Sequence, residues 1–311
     1  MRIVFMGTPE FSVPTLEALI AHHEVIGVVT QPDKRKGRGK TMAFPPVKET
    51  ALAHDIPVYQ PVKVREEGFV ETLRELAPDV IVVVAFGQIL PESILELPKY
   101  GCINVHASLL PKYRGAAPMQ WAIINGEKET GITTMYMAKG LDTGDMIEKV
   151  VIPIAPKETG ETLHDKLSAA GGTLILSTLD KLEAGTAVRI PQNDEESSYA
   201  GMLTKELGEI DWTRSAVSIE RLIRGLNSWP SAYTHMNGKT LKIWDADAVE
   251  DQGVAAPGTV TDVKKDCFYV QTGNGLLKVN EVQLQGKKRM PVQAFLLGYP
   301  VKKGMVYGRQ D

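Results

Sequence analysis

Cysteine is nearly missing from this chain: only Cys102 and Cys267 occur in 311 residues. They lie too far apart in sequence to form a close metal-ligand pair, and no Cys-x-x-Cys is present. Cys102 sits in an apolar, strand-like run that suits a buried thiol, so reduced, structural cysteines in a cytoplasmic protein are expected. Long apolar runs are missing too. Nothing approaches the ~20 residues a membrane span requires, and the opening run through Gly7 is too short for a secretory signal. The strand-like start followed by Gly7-Thr8-Pro9 lacks the G-x-G-x-x-G spacing, since no second glycine comes before Gly27, which argues against a dinucleotide site. A Walker loop and H-E-x-x-H are absent, so phosphate transfer and zinc catalysis lack their usual support and no metal is expected. Net charge is only -3, so no overall basic field marks a nucleic-acid partner, and any RNA contact must come from local clusters.

The length suggests two domains, because single cores commonly stop growing at about 250 residues. Val- and Ile-rich runs at Arg2 to Met6, Val25 to Thr30 and Val80 to Ala85 alternate with helix-like segments such as Val13 to His23. That pattern predicts an α/β domain with a doubly wound, mostly parallel sheet. Cys102 to His106 reads as a further strand with His106 at its carboxyl end, where ligands of open α/β sheets bind. Leu163 to Leu182 has helical periodicity interrupted by Gly171-Gly172. The polar, proline-containing stretch after Arg189 reads as an interdomain connection, giving a first domain over 1–189, a linker over 190–206 and a second domain over 207–311. In the last part Ser218 to Leu226 reads as a short capped helix. Runs at Thr240 to Trp244, Thr259 to Val263 and Cys267 to Thr272, with the turn Gly273-Asn274-Gly275 leading into Leu276 to Leu284, predict a small β-barrel.

Two stretches carry chemistry: Asn104-Val105-His106-Ala107-Ser108-Leu109-Leu110-Pro111-Lys112-Tyr113-Arg114-Gly115 and Leu141-Asp142-Thr143-Gly144-Asp145. Asn104 and His106 are two apart on a strand and project to one face. By themselves they could be hydrogen-bonded core groups. Joined to Asp142 they form a set able to stabilise an oxyanion and move a proton at a carbonyl carbon. None of the three is a nucleophile, so the attacking amine should belong to the substrate. Asp145 reads as a turn cap.

The order and spacing of these stretches, together with Val4-Phe5-Met6-Gly7-Thr8-Pro9, Gly27 to Asp33, Phe86-Gly87-Gln88-Ile89-Leu90-Pro91 and Gly101-Cys102-Ile103, resemble the folate-dependent formyltransferases. Within them the chain is most similar to the members acting on methionyl-tRNA. The resemblance implies that Asn104, His106 and Asp142 are catalytic and that 10-formyltetrahydrofolate is the formyl donor. By the same resemblance Phe86, Gly87, Gln88, Ile89 and Leu90, with Ser108, Leu109, Leu110 and Pro111, shape the folate pocket. Arg114 either contacts the donor or holds its loop by hydrogen bonds, and Leu109-Leu110 could equally be core packing. The implied C-terminal domain is OB-like and binds tRNA.

The segment Asp33 to Lys40 has five positive charges against one negative, which alone would describe a solvated loop. Its place after the second strand matches an insertion loop of the tRNA-specific members, and Gly37-Arg38-Gly39 matches their Gly-Arg-Gly element. This implies tRNA contacts for Arg38, with Lys34, Arg35, Lys36 and Lys40 beside it. Lys287, Lys288 and Arg289 form a further basic cluster, which alone would be surface decoration but on an OB-like barrel is expected to track the tRNA phosphate backbone. The implied activity is transfer of the formyl group to the α-amino group of methionyl initiator tRNA, for translation initiation. UDP-aminosugar formyltransferases and formyltetrahydrofolate hydrolases share the scaffold and are alternatives, as is a noncatalytic RNA-binding protein. A monomer is expected, since no coiled-coil stripe is present.

Overall fold

Strand β1 (Arg2–Gly7) is an apolar run, and in the computed structural model of the chain Ile3, Val4, Phe5 and Met6 are fully buried. Consecutive rather than alternate burial means that both faces of the strand are covered, as in parallel sheets flanked by helices. The structure describes residues 1–36, 41–251 and 253–308. After β1 come α1 (Val13–His22), β2 (Glu24–Val29), β3 (Lys34–Lys36), β4 (Thr41–Ala43), α2 (Pro46–Ala53), β5 (Val58–Tyr59) and α3 (Glu67–Leu76). Next are β6 (Val80–Val84), α4 (Glu92–Leu95), β7 (Cys102–His106), β8 (Arg114–Gly115), α5 (Pro118–Asn125), β9 (Glu129–Tyr136), β10 (Met146–Pro153), α6 (Gly160–Glu183) and β11 (Tyr199–Ala200).

The described residues form two compact units. The first contains Met1–Pro118, Glu129–Pro153 and His164–Ala200. Its seven-stranded sheet has the order β10-β9-β7-β6-β1-β2-β5. Strands β5, β2, β1, β6 and β7 are mutually parallel, and β9 and β10 add antiparallel pairs at one edge. The mostly parallel, doubly wound α/β class expected from the alternating runs is therefore the one observed. Val4, Met6, Val29, Ile81, Val83 and Cys102 share one core cluster of this unit. Burial pushes the Cys102 thiol up to about 12, which keeps it protonated and inert at neutral pH.

The helical pattern over Leu163 to Leu182 is observed, and the expected domain bounds shift. Helix α6 runs unbroken through Gly171 and Gly172. A Cβ on Gly172 would lie 2.9 Å from the carbonyl oxygen of Pro14, so glycine here permits close backbone approach and does not end the helix. The expected connection also begins too early: β11 pairs in parallel with β8, which makes residues through Ala200 part of the first unit.

The second unit contains Met119–Lys128, Ile154–Leu163 and Gly201–Asp311. Helix α7 (Ala216–Gly225) is capped by Ser215, whose Oγ accepts from the Ser218 N–H at 3.2 Å. Strands β12 (Tyr233–Met236), β13 (Lys239–Val249), β14 (Val260–Val263), β15 (Phe268–Gln271), β16 (Leu276–Leu284) and β17 (Met290–Pro291) precede α8 (Val292–Gly298). They form an antiparallel sheet in the order β12-β13-β16-β15-β14, with β17 on β16. Among the described residues no ladder joins β12 to β14, so the OB-like unit is a curled, open barrel. Trp212, Leu241, Phe268, Leu277 and Phe295 lie in its core.

Candidate active site

Strand β7 places Asn104 and His106 on one face at its carboxyl end, where they are only 9% and 6% exposed. Asp142 reaches them from the turn between β9 and β10. Its Oδ1 accepts from Asn104 Nδ2 at 3.3 Å, and its Oδ2 accepts from the Gly115 N–H at 2.8 Å. The same Oδ2 lies 3.7 Å from His106 Nδ1. His106 Nε2 lies 2.9 Å from the carbonyl oxygen of Tyr113. A carbonyl only accepts, so Nε2 carries a proton in this arrangement. An amide, an imidazole and a carboxylate that are distant in sequence thus converge in a largely buried cluster.

The Asp142 turn is tightly built. Asp142 has φ +52°, a left-handed conformation costing about 1–2 kcal/mol for a residue with a Cβ. A Cβ on Gly144 would lie 1.8 Å from the carbonyl oxygen of Tyr136, so only glycine fits there. The Asp145 carbonyl accepts from the Tyr136 N–H at 2.9 Å, and its carboxylate faces Arg189 Nη1 at 3.5 Å, which ties the turn to its surroundings.

The residues expected along the folate divide into two kinds. Phe86 and Leu90 are buried in the first unit's core, and Leu110 is buried with Met135 and Met146. Gln88 Oε1 accepts from the Val64 N–H at 2.8 Å, tying its loop to the segment before α3, and Ser108 Oγ donates to the Lys112 carbonyl at 2.6 Å, bracing its own loop. Ile89 is 81% exposed, Gly87 is exposed, and Leu109 and Pro111 are half-buried, leaving surface for a ligand. Arg114 Nε donates to Gln192 at 3.0 Å and Nη2 to Asp194 at 2.7 Å, bonds that hold its loop.

Among the expected tRNA contacts, Lys34, Arg35 and Lys36 form β3, paired antiparallel with β4, while Arg38 and Lys40 lie outside the described residues. Lys287, Lys288 and Arg289 are exposed between β16 and β17. Arg289 is already engaged by Glu281 and lies 4.8 Å from the Trp244 ring centroid. Among the described residues no group of three or more His, Cys, Asp or Glu could hold a metal ion, and no helix is long and apolar enough to cross a membrane. Sequence reasoning assigned no part to the Tyr113 carbonyl, the Gly115 N–H or Gln192. The first two act through backbone atoms, which every residue has, and Gln192 lies in a polar stretch with no pattern to mark it.

Residues 1–179 match the family model described as formyl transferase, and residues 202–300 match that of the formyl transferase C-terminal domain. The chain is 60% identical over 308 residues to the methionyl-tRNA formyltransferase of Agathobacter rectalis, covering 99% of both. It is 54% identical over 309 residues to the methionyl-tRNA formyltransferase of Alkaliphilus oremlandii, covering 99% of this chain and all of the relative. Among solved structures, WlaRD, a sugar 3N-formyl transferase crystallised in the presence of dTDP and 5-N-formyl-THF, superposes with a TM-score of 0.68 at 19% identity. That match covers 93% of this chain and 99% of WlaRD and shows a shared fold. With whole-length identity to two such enzymes and both family domains in place, this chain belongs to the formyl transferase family, among the methionyl-tRNA formyltransferases.

Proposed function

We propose that this chain transfers the formyl group of 10-formyltetrahydrofolate to the α-amino group of methionyl initiator tRNA, with Asn104, His106 and Asp142 as catalytic residues. The convergence of these three side chains at the end of β7 carries the reading. A formyl-folate donor is supported by the family and by the 5-N-formyl-THF present with WlaRD in its crystals. The acceptor amine attacks the formyl carbon, forming a carbon–nitrogen bond while the carbonyl π pair moves to oxygen. Asn104 Nδ2 has two hydrogens and gives one to Asp142; the other can stabilise that oxyanion. His106 contributes a second donor by exchanging the Tyr113 carbonyl for the oxyanion, and such donors are worth about 3–4 kcal/mol each. Asp142 lies beside both and relays the proton lost by the amine to N10 of the folate, whose bond to the formyl carbon breaks.

In the same reading, the first compact unit is the catalytic domain and the second the tRNA-binding domain. Gly87, Ile89, Leu109 and Pro111 offer the folate exposed surface. The basic segment around Arg38 meets the acceptor stem, and Lys287, Lys288 and Arg289 add contacts to the phosphate backbone. The enzyme works as a monomer in the cytoplasm.

The test is transfer of labelled formyl from 10-formyltetrahydrofolate to methionyl-tRNA, comparing initiator with elongator tRNA. Asn104→Ala, His106→Ala and Asp142→Ala should each lower kcat by about 10²–10³-fold with far-UV circular dichroism unchanged. Arg38→Ala should raise KM for tRNA. Wild-type kcat in Asp142→Ala would remove the catalytic assignment. Donor consumption without formylated tRNA would move the acceptor to an aminosugar or water.

A further inference from the structure

Tyr113, whose carbonyl meets His106, has φ +62°, and Asp142 has φ +52°. Residues with a Cβ persist in this region only where their surroundings fix them. One segment, residues 192–200, supplies fixing bonds to both places. Ser198 Oγ accepts from the Tyr113 N–H at 2.9 Å, and the Ser198 carbonyl accepts from the Arg114 N–H at 2.8 Å. The β8–β11 pairing then continues through Gly115, whose N–H holds Asp142. Gln192 reaches the other side of the cluster: its Nε2 donates to the carbonyls of Asp142 and Gly144, each at 2.8 Å. Its Oε1 accepts from Arg114 Nε at 3.0 Å. A guanidinium only donates, so this bond settles which way the amide faces.

We infer that Gln192 is a positioning residue for formyl transfer, holding the Asp142 turn in its left-handed conformation against the segment that carries Tyr113 and Gly115. The inference rests on the proposed roles of His106 and Asp142. A carboxamide suits this position because it gives two hydrogens to the turn and one acceptor to Arg114. Glutamate at 192 would keep the Arg114 bond but set a carboxylate oxygen against two carbonyl oxygens. Methionine would keep the bulk and lose all three bonds. In either variant the carboxylate is released from its register with His106.

Gln192→Glu and Gln192→Met would be assayed for kcat and for KM of each substrate, with thermal unfolding and the 15N resonances of the His106 imidazole recorded alongside. The expected result is a kcat reduced about 10- to 100-fold, the range typical of a lost supporting contact or a small misplacement. Both KM values should change little, the folded fraction should be undiminished at assay temperature, and the imidazole resonances should move. Wild-type kcat in both variants with unmoved resonances would overturn the inference, as would a loss of rate accounted for entirely by unfolded protein. If the wild type itself transfers no formyl group to methionyl-tRNA, the proposed function fails, and the His106 resonances alone then decide whether Gln192 sets the cluster.

Discussion

Glu148, on β10, shows how one residue ties sheet to helix. Its carboxylate accepts from Thr178 Oγ1 at 2.7 Å and Ser177 Oγ at 3.0 Å, and pairs with Lys181, all on α6. Burial alone would raise its pKa, but these bonds outweigh burial and hold it below the ordinary 4.5. A depressed carboxylate contributes stability above the ordinary value and loses it as pH falls through the folded one. Glu148→Gln should therefore cost about 1–3 kcal/mol near neutral pH, with the gap to wild type narrowing under acid. Urea denaturation at neutral and acidic pH measures this; an equal loss at both would mean that the ionised form is not what matters.

Helix α6 belongs to a larger scale, because its glycines set how closely it approaches the start of α1. Gly172→Ala would gain about 1 kcal/mol of helix propensity. The new Cβ, however, would sit 2.9 Å from the carbonyl oxygen of Pro14 and 3.2 Å from its carbon. Backbone atoms cannot rotate aside, and overpacking of this kind costs about 1–3 kcal/mol. The variant should thus be less stable than wild type, by about 1 kcal/mol, in a chemical melt. A stabilised variant would show that α6 can shift away at little cost. Paired glycines weaken a helix locally, and only the neighbouring backbone shows why they are tolerated here.

Across the whole molecule the chain enters and leaves the second unit several times. Within that unit Trp121 Nε1 donates to the Gly201 carbonyl at 2.8 Å, Arg224 Nη1 donates to the Glu158 carbonyl at 2.8 Å, and Lys157 pairs with Asp247 at 2.6 Å. Helices α5 and α7 approach so closely that a Cβ on Gly225 would lie 2.6 Å from Ile124 Cγ1. A fragment of residues 1–189, cut where the composition changes, keeps Met119–Lys128 and Ile154–Leu163 but removes these partners. It should expose apolar surface, bind a hydrophobic dye and unfold at a lower temperature than the full chain. A fragment melting like the intact protein without binding dye would show that both segments hold their conformation alone.

Local pattern was enough for much of this protein. Continuous Val- and Ile-rich runs mark strands covered on both faces, their alternation with helical segments implies parallel order, and side chains two apart on a strand share a face. The α/β class, a short capped helix near Ser218 to Leu226 and a shared face for Asn104 and His106 therefore follow from the sequence alone, whereas the cap itself proves to be Ser215, three residues earlier. Asp142 is implied by the resemblance to the formyltransferases, since no local pattern joins it to Asn104 and His106. Tertiary structure alone decided which atoms hold the cluster: the Tyr113 carbonyl on His106, the Gly115 N–H on Asp142, and the Gln192 amide on the turn. Two of these are backbone groups, identical at every position, and the third comes from a polar stretch without periodicity. Membership of 119–128 and 154–163 in the second unit was hidden for the same reason, since it depends on where distant segments return and not on their own composition.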